Sequence, residues 1–320
     1  MNTTAINEII GAIKNSNAVL ICGHIRPDGD CISSALAVRH FCRALGKRAD
    51  AVCDAEKSPS FAFMPEYEDF CNTSCDKYDL FIAVDCANEK RLGAYRRQLE
   101  DAANSINIDH HPTNGKFGAI NYIDPTAAST CSILYELFSA VGAIDKTMAQ
   151  MLYVGISTDT GHFMHSNTDS RVFESAAKLC GYGIDVGELN HSIYCNKSLG
   201  RIKLMARAIG GLRMYADGKI ALMCISLDDL SECGCKSEDT EGLIDTATSI
   251  GGVQIAITMC EQEGGLFRVS FRSSHADVAA VAEQFGGGGH KLASGCIVNG
   301  DRYDVAARLT DAAAYALRGL

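Results

Sequence analysis

The stretch Gly23-His24-Ile25-Arg26-Pro27-Asp28-Gly29-Asp30 comes directly after the apolar run Ala18-Val19-Leu20-Ile21-Cys22, and Ile108-Asp109-His110-His111-Pro112 extends the run Ser105-Ile106-Asn107-Ile108 in the same way. Short apolar runs bounded by turn residues read as buried strands. Both stretches therefore place ligands for hard metal ions at strand ends. In an open α/β sheet, sites form in the crevice beyond those carboxyl ends. Gly23 and Gly29 read as tight-turn residues and Pro27 as a fixed bend, together aiming His24, Asp28 and Asp30 inward. The rival reading is a polar surface turn in which Asp30 caps a helix over 31–45.

Two further acidic ends tip the balance. The run over 79–84 ends in Asp85-Cys86-Ala87-Asn88, and the run over 151–156, read as another strand end, leads into Ser157-Thr158-Asp159-Thr160-Gly161. The carboxylates of Asp28, Asp30, Asp85 and Asp159 and the imidazoles of His24 and His110 then converge on one rim, where without cations they repel one another. Oxygen-rich ligation with a few imidazoles suits Mn²⁺ or Mg²⁺ rather than a structural zinc. There are ligands enough for two ions, which in such sites lie about 3.5–4 Å apart and clamp both oxygens of a phosphoryl transfer. The chemistry these residues suggest is phosphoester hydrolysis.

GHIRPDGD, VDCAN, IDHHPTN and GISTDTG, in this order and spacing, resemble the four motifs of the DHH phosphoesterase superfamily. Phe285-Gly286-Gly287-Gly288-Gly289-His290-Lys291-Leu292-Ala293-Ser294-Gly295 resembles the glycine-rich motif of its substrate-binding DHHA1 domain. The form of this segment and the chain length look most like the NrnA-like branch of small cytosolic oligoribonucleases and pAp phosphatases within the RecJ-like superfamily. The resemblance places one Mn²⁺ on His24, Asp28 and Asp85. It places the other on Asp30, His110, Asp159 and again Asp85, which bridges. It implies two-metal-activated hydroxide attack on phosphorus, with His111 contacting phosphate oxygens or protonating the leaving oxygen and Asp109 orienting the neighbouring histidines. Asn88 matches a variable position and receives no role.

The chain has 320 residues, a net charge of −10 and a sequence pI of about 5.4. That charge argues against a broad basic face for long duplexes. A short phosphorylated ligand still fits a rim whose field is inverted by bound cations. The first 17 residues have no signal-peptide pattern and no apolar run is long enough to span a membrane, so a cytoplasmic protein is expected. The 15 cysteines sit singly in apolar runs, as reduced buried thiols do. Cys233 with Cys235 and Cys71 with Cys75 lack the further ligands a zinc site needs.

Strand-like runs alternate with helical patterns over 31–45, 128–140, 146–157 and 170–180, which argues for an α/β domain with a mainly parallel sheet and helices on both faces. The expected organisation is a catalytic domain over 1–184, a helical linker over 185–214 and a smaller α/β substrate-binding domain over 215–320. The last carries strands over 219–225, 253–259 and 266–272 and helices over 239–250, 277–285 and 304–318. The linker helices, over 185–194 and 199–212, read as a polar connection rather than core. A substrate is expected between the lobes.

In the second lobe, Gly286 to Gly289 alone read as a flexible loop, and it is the resemblance that favours a nest of amide N–H groups beside His290. Arg272-Ser273-Ser274 resembles the family's substrate-contacting arginine segment, which implies a guanidinium that grips a phosphate. The expected substrate-binding set is Arg272, Gly287, Gly288, Gly289 and His290. His40, His191 and His275 read as packing, surface or linker groups, and His162 and His165 as bordering the site without ligating. Expected partners are short RNA oligonucleotides, pAp, or linear and cyclic dinucleotides, with monomer and homodimer both open. Within the superfamily, pyrophosphatases and exopolyphosphatases share the metal motifs, but the glycine-rich lobe favours a nucleotide. The remaining alternatives are a c-di-AMP or pApA phosphodiesterase and a nucleotide-binding module that has lost catalysis.

Overall fold

The structure, a computed structural model, describes residues 3–73 and 77–318. Two compact units divide the chain, Met1–Asn196 and Lys197–Leu320. The expected connection over 185–214 falls across this division, and Cys75 lies outside the described residues.

In the first unit β1 (Ala18–Cys22), β2 (Arg48–Val52), β3 (Leu80–Val84), β4 (Asn104–Asp109) and β5 (Ile120–Ile123) form one sheet in the order β2-β1-β3-β4-β5, with every pairing parallel. The helices are α1 (Thr3–Asn15), α2 (Gly29–Ala44), α3 (Arg96–Asp101), α4 (Thr130–Ala140), α5 (Lys146–Asp159), α6 (Ser170–Cys180) and α7 (Val186–Asn190). Parallel strands are covered on both faces and so read as unbroken apolar runs. Val19, Ile21, Ile82, Ile106 and Ile108 pack with Leu36 of α2, Leu134 of α4 and Leu152 of α5. Leu20, Cys22, Phe81 and Ala83 turn to the other face, under Leu92 and Leu99. The expected two-faced α/β domain is present, with its thicker helical layer on one side.

Three local readings need correction. The run over 151–156 is not a strand end but the middle of α5, the helix expected over 146–157, capped by the Asp145 side chain accepting from the Met148 amide. Met151 to Ile156 are all buried, so no polar residue breaks the run and periodicity cannot separate it from a strand. The cap of α2 is Asp28, which accepts from the Cys31 N–H at 3.0 Å, and Asp30 sits in the first turn. Gly23 and Gly29 do not have positive φ; Arg26 does. They are glycines for close packing, since a Cβ on Gly23 would strike Cys31 Sγ and one on Gly29 would strike Thr158.

In the second unit, α8 (Leu199–Gly210), β6 (Arg213–Tyr215), β7 (Ile220–Ile225), α9 (Leu227–Cys233), α10 (Leu243–Thr248), β8 (Ile255–Gln262), β9 (Leu266–Ser273), α11 (Val278–Glu283), β10 (Gly288–His290), β11 (Ala293–Asn299) and α12 (Arg302–Leu317) follow in order. Its mixed sheet runs β10-β11-β9-β8-β7-β6, with β7 and β8 parallel and the other pairs antiparallel. The three expected strands form its centre. α8 is a core helix rather than a polar connection, because Leu204 and Ala208 are buried against Met223 and Ile244.

The glycine run is likewise not a nest. Gly288 to His290 are strand β10, paired with β11, and a Cβ on Gly287 or Gly289 would meet the backbone of Gly295 or Ala293. These glycines let two strands approach closely.

An ion-pair cluster fastens the excursion between β2 and β3 to α2. Arg39, fully buried, pairs with Glu66 and donates to Asp69 Oδ2 at 2.6 Å. His40 bridges Glu66 Oε1 at 2.6 Å and Asp145 Oδ2 at 2.9 Å. Removing one partner of a buried pair strands the other, so Arg39→Ala is expected to cost about 3 kcal/mol, the low end for such pairs because Asp69 keeps access to water. A urea unfolding midpoint unchanged from wild type would contradict this.

Candidate metal centre

The strand order reverses direction between β1 and β3, and the residues following these two strands supply the first ligands of the cluster. His24 stands two positions beyond β1 with its Nδ1 2.7 Å from the Ile25 carbonyl, which turns Nε2 toward Asp85 Oδ2 at 3.4 Å. Asp28 lies farther out, its Oδ2 3.9 Å from that nitrogen and its side chain 60% exposed.

Asp85 is the hub. It follows β3 with φ +55°, an uncommon conformation for a residue carrying a Cβ, and its N–H is held by the Ile108 carbonyl at 3.0 Å. Its Oδ1 accepts from Thr130 Oγ1 at 3.1 Å and lies 3.6 Å from His110 Nε2 and 3.7 Å from His111 Nδ1. Burial opposes the charge of Asp85, but His24, His110 and His111 outweigh it and hold the carboxyl below its ordinary range.

Asp30 is 1% exposed, and its two oxygens accept from the first amides of α4, Thr130 N at 2.7 Å and Cys131 N at 2.9 Å. A helix N-terminus is a natural seat for an anion. Burial, Asp85 and Asp159 nevertheless push this carboxyl up while no cation is present. Asp159, the last residue of α5, reaches His110 Nε2 at 3.5 Å and is pushed up to about 7, first by burial and then by Asp28 and Asp85, against the pull of His110.

Asp109 ends β4 fully buried, with Oδ1 accepting from the His110 N–H at 2.9 Å and from His111 Nδ1 at 2.7 Å. Its Oδ2 accepts from Asn114 Nδ2 at 2.6 Å. Asp109 therefore orients an imidazole and has no oxygen turned to the cluster.

The residues fit divalent cations. Ligand atoms of His24, Cys31 and Asp85, of Asp85, His110 and His111, and of Asp30, His110 and Asp159 lie within 4.8 Å of one another in each group. Among the described residues no Lys or Arg pairs with Asp28, Asp30, Asp85 or Asp159. The donors are mostly carboxylate oxygens and imidazoles, the set that suits Mn²⁺ or Mg²⁺. The Cys31 sulfur is taken up by accepting from the His24 N–H.

Several supporting residues escape sequence reading. Thr130 reaches Asp85 only because α4 begins against it, and Asn114 lay within a quoted motif with nothing local to assign it a partner. Tyr194, in a π-helical turn over His191–Cys195, places its hydroxyl 2.9 Å from Ser157 Oγ and donates to the Ser157 carbonyl, tying down the last turn of α5 that carries Asp159. π-Bulges are frequent at functional sites. His162 packs its ring against Tyr194 rather than reaching the cluster.

Arg272 and the glycine run lie in the second unit. Arg272 lines a cavity of about 320 Å³ together with Arg268, Ser270, Thr258 and Glu241. His290 is exposed at the end of β10.

Residues 18–156 match the family described as DHH family, N-terminal domain. The chain is similar to the bifunctional oligoribonuclease and PAP phosphatase NrnA of Bacillus subtilis, 26% identical over 295 residues that cover 91% of this chain and 92% of that one. The protein of the same name from Thermus thermophilus is 29% identical over 301 residues, covering 92% and 88%. In fold, an exopolyphosphatase-related protein from Bacteroides fragilis superposes with a TM-score of 0.91 at 23% identity, over 97% of this chain and 96% of that one.

The cluster predicts how the cation-free protein responds to pH. Asp159 ordinarily titrates at 3.8 and in the fold at about 7, so the folded state holds the extra proton between these values and loses stability as pH rises through them. His24 and His110, also raised, act with the same sign near neutrality. Chelator-treated protein should melt lower at about pH 8 than at about pH 5, and adding Mn²⁺ or Asp159→Asn should narrow the gap. Equal melting temperatures at both pH values would count against the reading of Asp159.

Proposed function

The N-terminal domain of this chain belongs to the DHH family, and on that premise we propose that the protein, a phosphoester hydrolase, uses the Asp85-centred cluster to cleave short oligoribonucleotides and pAp. The observation that carries this is the sharing of ligands. Asp85 and His110 each belong to two of the three groups, the arrangement expected where neighbouring cations hold a common carboxylate. His24, Asp28 and Asp85 would hold one ion and Asp30, His110, Asp159 and Asp85 the other, Mn²⁺ in the first place. When bound, these ions supply Lewis acidity toward phosphoryl oxygens and make water a stronger acid.

The chain's own groups do the rest. Asp109 fixes His111 through Nδ1, which leaves Nε2 as the atom that can carry a proton to the leaving oxygen. Asn114 and the His110 N–H hold Asp109 itself in place. In the second unit, Arg272 and His290, with Gly287, Gly288 and Gly289 keeping side chains out of the way, would bind the nucleotide. Two arginines, Arg268 and Arg272, at one cavity favour a phosphorylated ligand. The net charge of −10 favours a short one, since a long backbone needs many cations along its path.

The test is a panel of pAp, di- to pentanucleotides, pApA and c-di-AMP incubated with Mn²⁺-loaded protein, the products resolved by chromatography. Absence of hydrolysis across the panel would turn the reading to a nucleotide-binding module. Asp85→Ala should lower turnover by about 10³-fold or more, the scale of losing metal stabilisation of transition-state charge, without unfolding the chain. Asp109→Asn should lower kcat by about 10–100-fold with KM little changed, as loss of an orienting partner does. An Asp109→Asn enzyme with wild-type kcat would remove His111 from its assigned role.

A further inference from the structure

Away from the metal cluster, the segment after β2 brings two thiols together. Cys53 directly follows β2 and is buried, while Cys71, partly exposed, lies beside the same strand with its N–H donating to the Ala51 carbonyl at 2.8 Å. Their sulfurs are 3.5 Å apart in a hydrogen bond, and Cys71 Sγ also faces the Cys53 carbonyl at 3.6 Å. Cys71 has φ +65°, a costly conformation for a residue with a Cβ, set between the buried Phe70 and its own hydrogen bond to Ala51. Its neighbour Phe70 is buried in the core.

We propose that Cys53 and Cys71 form a reversible thiol-oxidation site, in which Cys71 reacts with a hydroperoxide and Cys53 resolves the product to a disulfide. The division of labour follows from position. Cys71 can meet a solute, and Cys53, behind it, cannot. The shared hydrogen bond, aided by Lys57, lowers the Cys71 thiol to about 7 while Cys53 is pushed up, so the proton stays on Cys53 and the nucleophile is Cys71.

In the first step the Cys71 thiolate attacks one peroxide oxygen, the O–O bond breaks, and the sulfur is oxidised to sulfenic acid as the other oxygen leaves and takes up a proton. In the second, Cys53 loses its proton and attacks the Cys71 sulfur, the S–O bond breaks, and the departing hydroxide accepts that proton. Two thiols and one hydroperoxide thus give one disulfide, one water and one further water or alcohol. The bond closes the excursion from residue 53 to 71, which carries the buried Met64, Tyr67 and Phe70 and the Glu66 and Asp69 partners of Arg39. Oxidation therefore staples to β2 the segment that the Arg39 ion pairs hold only non-covalently.

The experiment treats the full chain with hydrogen peroxide, alkylates the remaining thiols and maps peptides without reduction. A Cys53–Cys71 bridged peptide, lost on dithiothreitol treatment and accompanied by a higher Tm, is the expected result. In Cys53→Ser the resolving thiol is gone, so Cys71 should accumulate as sulfenic acid, trapped by dimedone. Alkylation of reduced wild type at neutral pH should reach Cys71 before the exposed Cys180 and Cys195. The proposal is overturned if Cys71 stays reduced while those thiols oxidise, if it pairs with Cys75 instead, or if Cys53→Ser leaves the products unchanged.

Discussion

Asp30 and Asp85 are buried to within 2% of complete exclusion from solvent, and that single constraint organises the first unit. Isolated buried carboxylates are expensive, so each must be compensated by something the fold brings to it. Asp30 receives the first two amides of α4, and Asp85 receives three imidazoles and a threonine hydroxyl. Neither compensation removes the repulsion between carboxylates. The residual imbalance, visible in the upward push on Asp30 and Asp159, is what fits the cluster to divalent cations.

The helices obey the same constraint. For Asp30 to meet the start of α4, α2, α4 and α5 must approach closely beneath it, and the chain removes side chains where they would collide. Gly29 leaves room for Thr158, and Gly155 lies where a Cβ would strike both Cys131 Sγ and Asp30 itself. The apolar faces of these helices then close over the sheet, so the packing that stabilises the core also sets the distance between Asp30 and Asp159. The π-helical turn that brings Tyr194 onto Ser157 extends this support to the end of α5.

In the second unit, glycines serve strand pairing. Four consecutive glycines suggest amides free for an anion, yet three of the run's residues enter or abut the β10–β11 ladder, where a Cβ at Gly287 or Gly289 has no room. The cationic groups instead project from the face of β9 that bears Arg268, Ser270 and Arg272, opposite the face that buries Phe267, Val269 and Phe271. Strict alternation along that strand separates core from polar cavity.

Much of this was legible in the sequence by itself. The apolar runs at 18–22, 79–84 and 105–108, the acidic and imidazole residues that end them, the helix over 170–180 and the three central strands of the second sheet depend on neighbours a few positions away, and local spacing encodes them. Where burial erased periodicity, local spacing supports two readings, a helix over 146–157 that α5 bears out and a strand end over 151–156 that it does not, and it missed β2 and β5, edge strands of Arg48–Val52 and Ile120–Ile123 whose polar interruptions weaken the signal. Only the tertiary structure decided which carboxylate does what. Asp30 accepts the first amides of a helix that begins 100 residues later, Asp109 turns inward to aim His111, and Asp85 has a positive φ with its N–H held by the Ile108 carbonyl. Residue types and periods are properties of short segments, but the direction in which a buried charge points is set by whichever distant donors the completed fold places beside it.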